Sequence, residues 1–383
     1  MAKTSNPIAR ESIALHTKLK GKIKVVATSP LRKMRDLSLL YTPGVGAVSS
    51  VIAAKPSLVD TLTWRQNTVA IVSDGSAVLG LGNIGPFAAL PVMEGKSAIF
   101  ARFTGINAVP LVLATQDTEE IIQIVKALEP SFGAIQLEDI SAPRCFEIER
   151  RLEKELSIPV MHDDQHGTAI VVLAGLLNAT KVVKKKLSSL RVVVTGAGAA
   201  GTAIAHLLSV AGVKDIVLVD RTGILSRDRK DLNPEKQMLV ATSNPRNISG
   251  DLAVALQDAD VVVGTSGPGV LSEALVRLMA PRAIVFALAN PIPEIMPDVA
   301  RKAGAMVVAT GRSDFPNQVN NALCYPGLFR GLLDKRVNLV SDAIKLRAAH
   351  AIAGFVKKPT PDRIIPNIFD KGLHEAVARS VKK

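Results

Sequence analysis

Two acidic pairs, Glu138-Asp139 and Asp163-Asp164, each close a short apolar run: FGAIQL leads into the first, and IPVM with His162 into the second. Carboxylate oxygens converging on one rim make a hard, anionic site that suits Mg2+ or Mn2+ and leaves coordination positions for water and substrate. A single acidic pair is as readily a solvated strand end, so the weight lies in two of them occurring together. Farther along, Gly196-Ala197-Gly198-Ala199-Ala200-Gly201 is a GxGxxG turn between the strand-like RVVVT and a helical pattern reaching Val210, and DIVLV then ends at Asp220. In such a unit Gly196 permits the tight turn, Gly198 lets the backbone approach a pyrophosphate, and Gly201 lets helix and strand pack closely. Ala199 and Ala200 open the helix whose N-terminus faces the phosphates. Asp220 can accept bonds from the adenosine ribose hydroxyls, which favours NAD, whereas Arg221 beside it can turn to a 2′-phosphate; an NAD preference with measurable NADP use is expected. Acidic pairs followed by a dinucleotide fingerprint point to a metal-dependent oxidoreductase.

Such residues meet only if the strands carrying them end together, because ligands in open α/β sheets collect at the carboxyl ends of strands. The composition suits that architecture. Apolar residues make up 48% of the 383 residues but aromatics only 3%, so the core is built from Val, Ile, Leu and Ala, as in buried parallel strands covered by helices. The expected fold class is α/β: a doubly wound, Rossmann-type dinucleotide-binding domain plus an α/β substrate domain. The expected division is a substrate and metal domain over 1–162, a Rossmann-type domain over 163–320, and carboxyl-terminal helices over 321–383 that return to the substrate domain. The longest uninterrupted apolar stretch, Ala169 to Leu177, is too short to span a bilayer, so no membrane is expected as a partner. Cys145 and Cys324 lack zinc or redox spacing and form no disulfide framework, which favours the reducing cytoplasm.

The first thirty-five residues carry nine Lys or Arg against the single acid Glu11, a balance also found in transit peptides. Ile13, Leu15, Leu19 and Ile23 alternate with Lys18, Lys20 and Lys22, however, so a folded first element with a solvated basic face is expected. The net charge of +13 attracts anions without specifying one. No zinc motif, aromatic interleaving or recognition signature accompanies it, and specific nucleic-acid binding is not expected.

Strands also read out as DVVVGTSG from Asp260, AIVFALANP from Ala283 and AMVVATGRSDFPNQVNN from Ala305. A doubly wound sheet points Asn290 and the Asn320-Asn321 pair toward one crevice, although Asn also ends strands for local reasons. The amino-terminal third has two glycine-rich turns beside apolar segments, LLYTPGVG with Tyr41 and LGLGNIGPFAALPVMEGK ending at Lys96. Tyr41 and Lys96 supply the proton-transfer groups that a metal site and a hydride acceptor still lack.

The chain resembles the malic enzymes of the small bacterial type. The matching stretches are LLYTPGVG, VSDGSAVLGLGNIGP, PVMEGK, LEDISAPRCFEIE, HDDQHGTA, GAGAAG, VFALANP and ATGRSDFPNQVNN, in family order over nearly the whole chain. The resemblance implies oxidative decarboxylation of L-malate to pyruvate and CO2 with NAD or NADP and a divalent metal, in a homodimer. It places Glu138, Asp139 and Asp164 on metal-ligand positions, Tyr41 and Lys96 on the catalytic tyrosine and lysine, and Asn290 and Asn321 on substrate contacts. Asp163 and Asn320 are secondary candidates. On this reading a Lys96 made neutral by burial and nearby positive charge takes the malate hydroxyl proton, and Tyr41 protonates C3 after CO2 leaves. Larger family members carry an arginine carboxylate clamp where this chain has Ala77. No phosphotransacetylase-like carboxyl domain follows, so regulation through one is not expected. Two alternatives stand beside it: another two-domain dehydrogenase, such as an amino-acid dehydrogenase, and a catalytically silent NAD-binding regulator.

Overall fold

The computed structural model describes residues 7–383. It opens with an arm of helices, α1 (Pro7–Leu19), α2 (Met34–Leu40), α3 (Gly44–Ala54) and the short α4 (Val59–Leu62), none of which contains a buried residue. Four parallel strands follow: β1 (Thr68–Ser73), β2 (Asn107–Val112), β3 (Ala134–Leu137) and β4 (Val160–His162), in the spatial order β2-β1-β3-β4. Helices α5 (Gly85–Thr104), α6 (Thr118–Leu128) and α7 (Arg144–Glu155) connect them. Every residue of β1, β3 and β4 is buried, as the unbroken apolar runs require of strands covered on both faces.

Helix α8 (Thr168–Val183) leads into the second sheet. It is apolar all round and buried along most of its length, and it packs against α9 (Ala199–Val210). The sheet runs β10-β9-β8-β5-β6-β7, from β5 (Arg191–Thr195), β6 (Asp215–Asp220), β7 (Gly223–Ile224), β8 (Val261–Gly264), β9 (Ala283–Ala287) and β10 (Ala305–Thr310); only β7 pairs antiparallel. Its other helices are α10 (Pro234–Thr242), α11 (Leu252–Leu256), α12 (Glu273–Arg277) and α13 (Pro297–Lys302). The chain leaves β5 for β6 on one side and crosses to β8 on the other, so the glycine turn after β5 lies at the topological switch point.

The last helices stitch the halves together. Helices α14 (Tyr325–Lys335) and α16 (Leu373–Ser380) pack on α5, while α15 (Asp342–Phe355) packs on α8 and α9. Gly327 and Gly331 let α14 and α16 touch closely: a Cβ on either would fall 2.5–2.6 Å from the carbonyl oxygens of His374 and Ala378. Phe100 of α5 then meets Tyr325 at a tilt and Phe329 edge-on, at ring separations of 4.9 and 5.6 Å. The glycine-rich stretch before Lys96 differs from its expectation as a turn. Gly85 and Pro86 start a twenty-residue helix there, in which Gly95 does not act as a terminator, so Lys96 stands on a rigid element.

Candidate functional site

The carboxyl ends of β3 and β4 deliver both acidic pairs to one place. Glu138 and Asp139 follow β3 directly, and Asp139 adopts the left-handed region at φ +54°, uncommon for a residue with a Cβ. Asp163 and Asp164 begin a π-helical turn, Asp163–Gly167, wedged between β4 and α8. The helix is widened by one residue there, a distortion often found at functional sites, with Asp164 turned to Asp139 after β3 and Asp163 to Lys96 of α5. The Asp139 backbone N–H donates to Asp164 Oδ2 at 2.8 Å, which ties the two ends to each other. Gly167 is required by close approach, since a Cβ would fall 1.9 Å from Asp163 Oδ1.

Ligand oxygens of Glu138, Asp139 and Asp164 lie within 4.8 Å of one another. Burial first, and then the neighbouring Asp164, Asp163 and Asp139 charges, push the Glu138 carboxyl well above its usual range, against the pull of Lys96. Three hard oxygen donors crowded at a buried rim fit a divalent cation such as Mg2+ or Mn2+.

Lys96 differs from its expected electrostatics. It is 12% exposed, and its Nζ donates to Asp163 Oδ2 at 2.5 Å and Asn321 Oδ1 at 3.3 Å and lies 2.9 Å from Glu138 Oε1. Burial lowers its pKa, but Asp163 and Glu138 outweigh burial and raise it well above the ordinary lysine value. The surroundings are anionic rather than positive, and they hold the ammonium form. Asp163 thus sits beside Lys96 as its ion-pair partner, outside the ligand cluster. Lys96 Nζ also lies 4.7 Å over the ring of the buried Tyr325, a neighbour the sequence reading missed.

Tyr41 is not brought to Lys96 within the chain. It stands at the end of α2, is 65% exposed, and makes no side-chain hydrogen bond among the described residues. Asn321 reaches Lys96, whereas Asn320 uses its Oδ1 to cap the following turn through Ala322 N–H at 2.9 Å. Asn290 lies beyond β9, next to the two glycines at which a Cβ would strike it, Gly80 and Gly311. Ala77, in place of a clamp, donates its N–H to the Asp139 carbonyl at 2.9 Å, so this loop shapes the carboxylate rim through its backbone. Arg144 braces the same loop through Asp74 Oδ2 at 2.9 Å and Ser76 Oγ at 3.1 Å.

Glu149, on the buried face of α7, also escaped the sequence reading. Its carboxylate accepts from the His162 backbone N–H at 2.6 Å and Gln165 Nε2 at 2.9 Å, and lies 3.1 Å from His166 Nε2. It thereby grips the π turn from behind. The available signal was its position: Cys145, Ile148, Glu149 and Leu152 form one helical stripe, and a carboxylate in an otherwise apolar stripe needs a buried partner.

The second sheet carries the glycine turn. Gly196 has φ +99°, and a Cβ on Gly201 would fall 1.8 Å from the Gly196 carbonyl oxygen, so both glycines are enforced by the fold. Nothing lies within 4 Å of a Cβ on Gly198, and that position opens toward where a pyrophosphate would approach. Gly198 caps α9 without a side-chain acceptor, so the first N–H groups of the helix, beginning at Ala199 and Ala200, are offered to an anion. Asp220, expected to accept from the ribose hydroxyls, is here the partner of two cations. Burial would raise its pKa, but hydrogen bonds from Arg229 and Lys236 pull it down to about 2. Arg221, the expected counter-cation, stays exposed and forms no ion pair among the described residues.

Comparison with known proteins agrees over both halves. Residues 20–153 match the family model of the malic enzyme N-terminal domain, and 165–382 that of the malic enzyme NAD-binding domain. The chain is 54% identical over 363 residues to an NAD-dependent malic enzyme of Geobacillus stearothermophilus, covering 94% of this chain and 76% of that one. It is 46% identical over 380 residues to an NADP-dependent malic enzyme of Halomonas elongata, covering 94% and 89%. The crystal structure of an NAD-dependent malic enzyme of Thermotoga maritima superposes with a TM-score of 0.93 at 49% identity, covering 96% of this chain and 98% of that one.

Proposed function

We propose, for a chain that belongs to the malic enzyme family and oxidatively decarboxylates malate to pyruvate and CO2 with NAD(P), that Glu138, Asp139 and Asp164 hold a divalent metal and that Lys96 and Tyr41 move the protons. The observation that carries this is the convergence of three buried-rim carboxylates beside Lys96. A divalent cation held there supplies Lewis acidity toward the 2-oxo acid, and the dinucleotide supplies the hydride acceptor. The chain's own residues do the rest. Asn321 and Asp163 fix Lys96 Nζ in direction, and Asp163 Oδ2 offers a second seat for the proton exchanged at the substrate hydroxyl. Asp163 is fully buried and Lys96 nearly so, with the Tyr325 ring of α14 against its Nζ, which limits water at that pair.

The arm supports a homodimer. Leu39, Leu40, Tyr41, Val48, Val51 and Trp64 are all exposed in the single chain, the kind of apolar surface that association covers. A second copy would cover it, and the same docking would carry Tyr41 to a Lys96 centre. Residues 34–54 are also apolar enough for a bilayer, as are 163–183, but the latter are 72% buried within the fold. The turn at 41–43 divides the former into two short helices, which disfavours a continuous span. Two buried free cysteines agree with a cytoplasmic home.

The test is growth of reduced-nicotinamide absorbance with L-malate, Mn2+ and each cofactor, abolished by EDTA and restored by Mn2+. Turnover that persists under stringent chelation would remove the metal from the scheme. Turnover with an amino acid in place of malate would favour the amino-acid dehydrogenase alternative.

A further inference from the structure

Glu294 follows β9, and its side chain is fully buried with backbone N–H groups rather than a cation for company. Burial raises its pKa, and the N–H groups of Ala289, Glu294 and Ser266 pull the other way. A carboxyl group so placed is costly unless its oxygens are bonded, and both are. Oε1 accepts from the Ser266 N–H at 3.1 Å and Oε2 from the Ala289 N–H at 3.0 Å. Ser266 belongs to the loop after β8 and Ala289 to the loop after β9, so one side chain ties the two loops together. The backbone adds to the tie: the Leu271 N–H donates to the Glu294 carbonyl at 3.1 Å, and the Gly269 N–H to the Pro293 carbonyl at 3.4 Å. Gly264 leaves room for the carboxyl group, since a Cβ there would fall 2.5 Å from Glu294 Cδ.

Both loops lie at the carboxyl ends of their strands, across the switch point from the glycine turn. A sheet of this kind has two mononucleotide-binding halves. The glycine turn and the end of β6 form the adenosine half, so the loops after β8 and β9 face the nicotinamide half. Ser266 Oγ also meets Thr195 Oγ1 at 3.2 Å, at the end of β5. Asn290, next to Ala289, sets its carbonyl oxygen where a Cβ on Gly80, in the loop after β1, would fall 1.8 Å away.

We propose that Glu294 is a positioning residue for the nicotinamide half of the dinucleotide, holding the β8 and β9 loops as one floor and Asn290 against the substrate domain. A glutamine cannot take its place, because the amide sets an NH2 where one of the two N–H donors needs an acceptor. The proposal rests on dinucleotide binding by this domain, but not on the metal or on Tyr41.

The experiment is calorimetric titration with NADH and with 5′-AMP, which probes the adenosine half alone, in the absence of malate and metal. Glu294→Gln and Gly264→Ala should each weaken NADH by about tenfold, the worth of one buried hydrogen bond, and leave 5′-AMP affinity unchanged. In the wild type, the Ser266 and Ala289 amides should exchange with deuterium as slowly as those of β8 and β9, a measurement that needs no variant to fold. Fast exchange at both amides overturns the proposal. So does a Glu294→Gln protein that melts early yet binds NADH as the wild type does, because the side chain would then act on stability alone. Equal weakening of NADH and 5′-AMP overturns it as well. Failure of the wild type to bind NADH would instead overturn the dinucleotide reading beneath it.

Discussion

Removing Glu149 should loosen the carboxylate rim without touching it. Its carboxylate is buried, bonded to the His162 N–H and the Gln165 amide, and within reach of the His166 ring. In Glu149→Ala these groups lose their acceptor; the backbone N–H cannot turn away, whereas the partly exposed His166 ring can find water. At about 1–3 kcal/mol for each buried donor left unmade, the cost comes to roughly 3–5 kcal/mol. Glu149→Gln keeps the shape and one acceptor but sets an NH2 against another donor, costing roughly 1–3 kcal/mol. The strain falls on the turn that presents Asp163 and Asp164, so Mn2+ affinity should drop about 10–100-fold, as for other partners that orient metal ligands. Thermal unfolding and Mn2+ titration by electron paramagnetic resonance read the two effects. Acid adds a third. Burial raises the Glu149 pKa, but His166 and His162 more than offset that and leave it below the usual carboxylate value. A depressed folded pKa contributes stability above the unfolded value near 4.3 that is lost as pH falls through the lower folded value. The stability gap between wild type and Glu149→Gln should therefore be flat near neutrality and close below about pH 4.3. Wild-type melting and Mn2+ affinity in Glu149→Ala would refute the bracing role.

Asp139→Asn and Asp164→Asn keep hydrogen-bonding shape while removing a charged ligand, and should cut turnover by on the order of a thousandfold with NAD(P) binding retained; near-normal activity under chelation would contradict the ligand set. Gly167→Ala drives a methyl into Asp163 Oδ1, so it should cost about 1–3 kcal/mol of stability and lower kcat by displacing the partner of Lys96; an unperturbed variant would mean that the π turn can relax freely. Tyr41→Phe and Lys96→Ala should each be inactive alone. Mixed and reassembled, they should regain about a quarter of wild-type activity, because half the dimers are hybrids with one intact site of two. No recovery would place Tyr41 and Lys96 of one site on a single chain.

The strands bearing the carboxylates and the glycine turn were legible because buried parallel strands read as continuous apolar runs and the turn has a fixed chemistry. Strands β1 and β2 escaped: TVAIVS and NAVPLV are short, and they adjoin glycine-rich text that reads as loop. The helical state of the Lys96 segment was hidden for a related reason. Gly85, Gly95 and Pro91 all vote against a helix locally, and packing against β1, β2, α14 and α16 overrides them.

Charge state was the least legible property. The sequence suggests positive neighbours for Lys96, where the structure places Asp163 and Glu138, and only Arg221 beside Asp220, where it places Arg229 and Lys236. Lys96 is 67 residues from Asp163, and Asp220 is 9 and 16 residues from Arg229 and Lys236, separations that no helical or strand period connects. Motif spacing therefore specifies where a functional group stands, while its protonation and its free lone pairs depend on partners delivered by other elements. A carboxylate at the end of the second Rossmann strand is a weak basis for preferring NAD until its hydrogen-bond donors are counted, and Asp220 accepts from the Thr222 N–H, from Arg229 and from Lys236.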